Sequence, residues 1–296
     1  MIECRAPENA AEFEQYYQLR WKILREPWQQ LKGSEQDELE SQSIHRLIIN
    51  EKKHILAIGR LHFTGNGCAQ IRYMAVDNNY SGQGLGRQII ESLEQAARRF
   101  GVNTIQLNAR EAAKGFYLQL GYQGEKYSHT LFNNVKHIAM EKQLNKPVNV
   151  PSAAVNLVNI WHTTIPLSKA MGIAITRFDQ QVLTTTCDLT FNKNIHHTMF
   201  AGSIYTLATL TGWGLIHLAI EKQALVGDVV LAEAAVKYVA PIEGVAFAQV
   251  ENHTLSFERL LRQRNERITL SVNVFSGEKI AATYTATYVV KPKRAC

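Results

Sequence analysis

Two stretches of the chain carry residue types whose spacing suits chemistry. The first, Asn192-Lys193-Asn194-Ile195-His196-His197-Thr198-Met199-Phe200-Ala201-Gly202, leads into a run with no charged residue from Thr198 to Ile220. That run predicts a helix apolar on nearly every side, which must be sheathed by protein or by lipid. Polar side chains crowd at its start. A helix N-terminus has unpaired N–H groups and partial positive charge, so this end can hold an anion or polarise a carbonyl. The second stretch is Tyr80-Ser81-Gly82-Gln83-Gly84-Leu85-Gly86-Arg87, set between the strand-like Arg72-Tyr73-Met74-Ala75-Val76 and an amphipathic helix to about Phe100. Glycines there let a backbone approach a ligand, and the following helix start offers N–H groups to a pyrophosphate.

These stretches need different scaffolds. Helical spacing of Phe13, Tyr16, Tyr17, Leu19, Trp21, Ile23 and Leu24 predicts a helix over 11–25, and the polar, acidic residues 26–43 suit a mobile loop. Strands are expected near 46–49, 55–63, 70–76, 104–109 and 135–142, with a second helix over 111–120. Two prolines within 143–153 mark a linker, which gives units of 1–145 and 152–296. Beyond it come a short helix and loop over 154–170, strands at 174–178 and 182–190, the apolar helix from about Thr198, and strands at 228–239, 245–251, 267–275 and 280–291. One long helix inside five or six antiparallel strands explains an all-round apolar helix. Gly202, Gly212, Gly214, five Ser/Thr hydroxyls and His217 in the run, with strands directly after it, favour this over a membrane span.

Composition narrows the setting. A chain of 296 residues is long enough for about two domains. Residues 1–15 lack an apolar leader segment, and Cys4, Cys68, Cys187 and Cys296 form no CxxC pair. The expectation is a cytoplasmic protein with reduced thiols and no metal site. The net charge of +6 spreads over both halves, so no nucleic-acid partner is implied.

Residues 10–143 resemble the GNAT acetyltransferase superfamily through the RYMAV strand, SGQGLGR, the strand end at Asn108 and the AKGFYLQLGY helix. The resemblance implies acetyl-CoA or another acyl-CoA as cofactor, with pantetheine along Met74 and Val76 and the pyrophosphate on Gln83, Gly84, Gly86 and Arg87. Asn108 and Tyr117 would lie near the thioester, Tyr117 as a candidate acid for the departing thiolate. Ser81 stands where the family's loop opens with Arg or Gln. No base for an acceptor amine is evident; Glu111 and His137 are candidates.

Residues 155–292 resemble the hotdog superfamily of acyl-thioester enzymes through Asn194 and Thr198-Met199-Phe200-Ala201-Gly202. The pattern NxN…FAGSxYxLAxLxGW is similar to the branch fused to a GNAT unit, the YiiD or MadA type. The fold class implied is α+β: a mixed GNAT sheet with flanking helices, then an antiparallel sheet around one helix. The implied activity is decarboxylation of malonyl-ACP to acetyl-ACP, which primes fatty acid synthesis, with an acyl carrier protein as partner and a homodimer through the hotdog. Arg259, Arg262, Arg264 and Arg267 are candidates to meet an acidic carrier.

Residue chemistry bears on the choice of reaction. Hydrolysis needs a base to activate water, yet the long helix has no acid before Glu221. Asn194 and Asn192 are carboxamides, which donate hydrogen bonds but take no proton at useful pH. Decarboxylation instead needs donors for an enolate oxygen and an apolar wall, here Met199 and Phe200, for the leaving carboxylate. Both asparagines also suit turns or caps. His196 or His197 as base keeps an acyl-CoA or acyl-ACP thioesterase open, and Asp188 is a weak candidate. A binding protein without turnover, or a hotdog that only dimerises the chain, also remains open.

Overall fold

The computed structural model describes residues 2–65, 67–144, 151–187, 189–251 and 255–293. The chain divides into two compact units, Met1–Lys146 and Pro147–Cys296. Residues 145–150 of the expected linker and Asp188 lie outside the described residues.

In the first unit the order is β1 (Ile2–Arg5), α1 (Ala10–Leu24), β2 (Ile44–Asn50), β3 (Ile55–Gly65), β4 (Cys68–Val76), α2 (Leu85–Arg99), β5 (Thr104–Arg110), α3 (Lys114–Gln119), β6 (Gln123–Leu131) and β7 (Val135–Gln143). They form one sheet in the order β1-β2-β3-β4-β5-β7-β6. Only β4 and β5 run parallel, and they pair from Cys68↔Thr104 to Ile71↔Leu107 and no further. The split has a cause in β4. Tyr73 adopts a left-handed φ of 55°, and opposite Gly59 the β3–β4 register slips between Ile58↔Ala75 and Arg60↔Arg72. A bulge adds an unpaired residue and bends its strand. The bend turns Arg72–Val76 away from β5 and opens a wedge in the sheet. Gly59 is required there, since a Cβ would lie 2.5 Å from Met74 Sδ and from Ile89.

The expectation of a mobile loop over 26–43 is corrected. Arg20 and Arg60 are fully buried, and both reach into that segment. Arg20 Nη1 donates to Glu40 at 2.7 Å and Arg60 Nη2 to Asp37 at 2.9 Å. Buried guanidiniums need such partners, so the acidic residues pin the loop to the sheet rather than merely solvating it.

The second unit contains α4 (Ser152–Thr164), α5 (Pro166–Ala170), β8 (Ala174–Phe178), β9 (Val182–Cys187), α6 (Ala201–Lys222), β10 (Gly227–Tyr238), β11 (Ala246–Glu251), α7 (Glu258–Leu261), β12 (Glu266–Ser276) and β13 (Lys279–Pro292). The six strands are antiparallel in the order β10-β13-β12-β11-β9-β8. Helix α6 packs on β9, β10, β11, β12 and β13. The sheet therefore wraps the helix, as expected of a hotdog. Although α6 is long and apolar enough to cross a membrane, 67% of its most apolar window is buried inside the protein. Its glycines serve close approach: a Cβ on Gly212 would meet Tyr288 Oη at 2.5 Å, and one on Gly214 would meet Trp161 at 2.7 Å. On β13 the buried residues alternate as Ala282, Tyr284, Ala286 and Tyr288, which places two large rings on the helix side.

Candidate functional sites in the two units

The wedge between β4 and β5 opens into a cavity of about 280 Å³. Met74, Val76, Asn108 and Tyr117 all line it, so four residues separated by up to 43 positions in sequence meet at one place. Beyond the bulge the β4 backbone facing β5 has no strand partner, which leaves polar groups for an extended ligand to pair with. The glycine loop lies at the end of β4. Gly84 caps α2 with φ of 79°, a conformation that strains any residue with a side chain. Gln83, Gly84 and Arg87 are exposed, and a Cβ on Gly86 would press on Phe116 at 3.2 Å. Among the described residues Arg87 pairs with Glu91 alone, at 3.9 Å across one helical turn. The helix start thus presents backbone and a cation to solvent, with no acid in its first turn.

Tyr117 is buried on α3 against Phe116 and Tyr122. Burial pushes its phenol up to about 12, with Arg110 pulling back. An ordinary thiol titrates at about 8.5. A phenol held that high keeps its proton at neutral pH. Of the two candidate bases, His137 lines the cavity, whereas Glu111 is exposed outside it.

In the second unit, residues 192–200 fold into a tight hairpin before α6. Phe200 N–H donates to Asn192 O at 2.7 Å, Asn194 N–H to Thr198 O at 2.8 Å and His197 N–H to Asn194 O at 3.1 Å. His197 turns the tip with φ of 60°. Asn194 holds that tip through its side chain. Its Oδ1 accepts from His196 N–H at 2.8 Å, and its Nδ2 donates to Thr198 Oγ1 at 3.1 Å. This is an Asx-type turn, in which the carboxamide shapes the loop. Asn192 is 1% exposed and donates to Met171 O at 2.9 Å, so it anchors the hairpin base. His196 and His197 are exposed at the tip.

The helix start itself has no side-chain cap. Intrahelical bonding begins with Ser203 N–H to Phe200 O at 2.9 Å, so the amides of Ala201 and Gly202 lie outside the helical ladder. Met199 is buried, while the Phe200 ring lies over Gly202, where a Cβ would meet it at 2.3 Å. No carboxylate occurs from Leu189 to Ile220.

Family models match both units. Residues 13–122 match "Acetyltransferase (GNAT) family", and residues 154–292 match "Putative thioesterase (yiiD_Cterm)". A solved Shewanella oneidensis protein described as a "putative thioesterase" is 38% identical, covering 48% of this chain and 99% of its own, with a TM-score of 0.47. The chain belongs to both families: a GNAT unit joined to a YiiD-type hotdog. A Bacillus subtilis protein described as "Uncharacterized protein YyaT" is 27% identical over 112 residues, 38% of this chain and 74% of its own length. A "putative N-acetyltransferase" of Lactobacillus plantarum is 19% identical over 48% of this chain and 98% of its own, with a TM-score of 0.44.

The sequence did not reveal several residues around these sites. In the GNAT unit, Arg25, Arg110, His129 and Phe132 share the cavity wall with Tyr117. In the hotdog unit a line of hydroxyls runs from the helix start inward. Tyr238 Oη donates to Ala201 O at 3.1 Å, Thr209 Oγ1 lies 2.8 Å from Tyr284 Oη, and Tyr288 Oη donates to Thr209 O at 2.8 Å. Tyr205 contacts Tyr284 edge-on at 5.3 Å. The available signal was the Ala/Tyr alternation on β13 facing Ala201, Tyr205 and Thr209, which share one helix face at four-residue spacing. Among the four arginines expected to meet a carrier, all are exposed. Arg259 donates to Asn265 O at 3.1 Å and Arg267 lies 3.6 Å from Glu233. Among the described residues no cluster of three or more His, Cys, Asp or Glu could hold a metal ion.

Proposed function

We propose that the hotdog unit decarboxylates a malonyl thioester carried by an acyl carrier protein, giving acetyl-ACP to prime fatty acid synthesis in the cytoplasm. The GNAT unit binds acetyl-CoA and transfers its acetyl group to an amine. The observation that carries the first half is an uncapped helix start with no carboxylate from Leu189 to Ile220. In the reaction the bond between the carboxylate and Cα breaks, carbon dioxide leaves, and the electron pair moves onto the thioester oxygen. The enolate then takes a proton at Cα. The Ala201 and Gly202 amides stabilise that oxygen; one such donor is typically worth about 3 kcal/mol. Asn194 acts as a positioning residue, since its carboxamide sets the hairpin that delivers the helix start. Met199 and Phe200 offer the departing carboxylate little solvation. The 12-residue edge strand β10 supports pairing of two hotdog units.

The thioesterase reading rests on the exposed His196 and His197 beside the same helix start. Mass spectrometry of malonyl-ACP after incubation with the protein separates the two. Acetyl-ACP supports decarboxylation; free carrier thiol supports hydrolysis and overturns it. Unchanged carrier would leave only binding. Asn194→Ala is expected to lower the rate of acetyl-ACP formation by about 10- to 100-fold through a misplaced helix start. Full activity in that variant would remove Asn194 from the mechanism.

A further inference from the structure

The GNAT cavity has a charge pattern that its fold does not require. Arg25 and Arg110 both line it, and among the described ion pairs neither meets a carboxylate. Their bonds go to backbone instead. Arg25 Nε donates to Ser34 O at 2.9 Å, and Arg110 Nη2 to Leu24 O at 3.4 Å. Glu35 ranks last among the influences on Arg25, and its carboxylate is bonded to Gly33 N–H at 2.7 Å and to Gln36 Nε2 at 3.2 Å. The contrast is with Arg20 and Arg60 nearby, which carry Glu40 and Asp37 as counterions. Burial pulls both Arg25 and Arg110 down, with neighbouring guanidiniums adding to it. Arginine stays charged regardless, so these two cations lack a protein anion and favour one from a ligand.

Their surroundings limit what that ligand is. The Arg25 guanidinium lies 5.6 Å from the Tyr73 ring and 5.4 Å from Phe132, which stacks on Trp28. Leu24, Leu131 and Val135 complete an apolar wall. At about 280 Å³ the space suits a small molecule rather than a folded partner.

A neutral base faces the same space. His137 Nδ1 lies 2.9 Å from Val135 O. A carbonyl only accepts, so Nδ1 carries the hydrogen and Nε2 keeps its lone pair. His129 stacks on the ring at 4.6 Å. Burial, and then His129, hold His137 below its ordinary value, so it is neutral at physiological pH.

We propose that the acceptor is a small amino carboxylic acid with an apolar side chain, whose carboxylate is held by Arg25 and Arg110 and whose amine gives its proton to His137 Nε2. This rests on the reading of the first unit as an acetyl-CoA-dependent transferase. In the step, the amine lone pair bonds to the acetyl carbon, the C–S bond breaks, and its electron pair leaves on sulfur. His137 takes one amine proton, while Tyr117 hydrogen-bonds the thiolate until solvent protonates it. The cationic wall also disfavours an ammonium, which helps present the amine with its lone pair free.

The test uses the full chain, acetyl-CoA and matched acceptors: phenylalanine against phenethylamine, leucine against isopentylamine, and phosphoethanolamine. Calorimetry reads acetyl-CoA binding and thiol release reads transfer. The expected result is kcat/KM at least tenfold higher for each amino acid than for its amine. Arg110→Gln and Arg25→Gln should raise KM for phenylalanine at least tenfold and leave KM for phenethylamine unchanged, with Arg110→Lys restoring part of the loss. His137→Gln should lower kcat with little change in KM. Thermal melts establish that each variant is folded, and Arg25→Lys replaces Arg25→Gln should the latter unfold. Equal use of the amines, faster use of phosphoethanolamine, or no acetylation of any acceptor by a protein that binds acetyl-CoA overturns the proposal. Absence of acetyl-CoA binding overturns the transferase reading itself.

Discussion

Mild acid should destabilise the GNAT unit because of two buried histidines. His45 Nε2 lies 2.9 Å from Glu40 O, so that nitrogen carries the hydrogen. Its Nδ1 is buried and finds no hydrogen-bond partner among the described residues, as is true of Nδ1 of His62. A second proton on either ring would enter a space that already holds the Arg20 and Arg60 guanidiniums. Burial is the main cause that pushes both histidines from 6.5 down to about 4; Glu40 pulls back at His45, where Arg20 and Arg60 add to the lowering, and Arg60 and Arg72 add to it at His62. The sign follows from proton counting. Between those values the unfolded chain binds protons that the folded unit refuses, so stability falls as the pH drops from about 6.5 to about 4. At pH 4.5 each histidine costs about 2.5 kcal/mol, and the pair about 5, against a typical domain stability of about 5–15 kcal/mol. At pH 5.5 the pair still costs about 3 kcal/mol.

Urea titrations of the full chain at half-unit steps from pH 7.5 to 4.5 would measure this. Carboxylates contribute lower down: Arg5 holds Glu12 at about 2, so its share of stability is present above 4.5 and is lost only as the pH falls toward 2. The fall between pH 6.5 and 5.5 therefore belongs to histidines. Because His137 and His217 are also lowered by burial, the assignment rests on variants. His45→Gln and His62→Gln together should flatten most of the slope, even if both lower stability at pH 7.5. A flat profile in the parent protein, or an unchanged slope in the double variant, would refute the reasoning.

Two further outcomes follow from the same unit. Asp37→Asn leaves the fully buried Arg60 with Glu40 alone, so urea unfolding should show a loss of about 3 kcal/mol, together with faster proteolysis within 26–43. Gly84→Ala meets no atom within 4 Å, but φ of 79° strains a residue with a side chain; the loop relaxes in the free protein and must take up that strain of about 1–2 kcal/mol to bind, so acetyl-CoA affinity should fall about tenfold by calorimetry, with the melting temperature nearly unchanged.

The strands with alternating or continuous apolar residues were legible because their periodicity reports burial directly. Ala174–Phe178 was expected at those limits, and the hotdog strands after α6 within two residues of theirs. The strands that escaped were the sheet edges. β1 has only four residues, and β6 is exposed or half-buried along its length, so neither carries a pattern that burial could impress. The start of the long helix was set near Thr198 rather than Ala201. Apolar character continues back through Met199 and Phe200, yet these close a hairpin whose hydrogen bonds composition does not display.

The site residues divide on the same physical ground. Glycines at 84 and 86 and the apolar helix announce themselves because each type has few other uses at such positions. The arginines did not. Arg20, Arg25, Arg60 and Arg110 are alike in sequence, and only the fold decides that Asp37 and Glu40 neutralise two of them while two keep their charge facing a cavity. That sorting comes from one bulge. By turning Tyr73 to a left-handed φ, β4 parts from β5 to make the cavity. The same turn places the Tyr73 ring among four guanidiniums and its hydroxyl 3.0 Å from Asp37. One local distortion thus opens the ligand space and organises the charges on its wall. Relieving it by mutation should therefore disturb CoA binding and acceptor choice together.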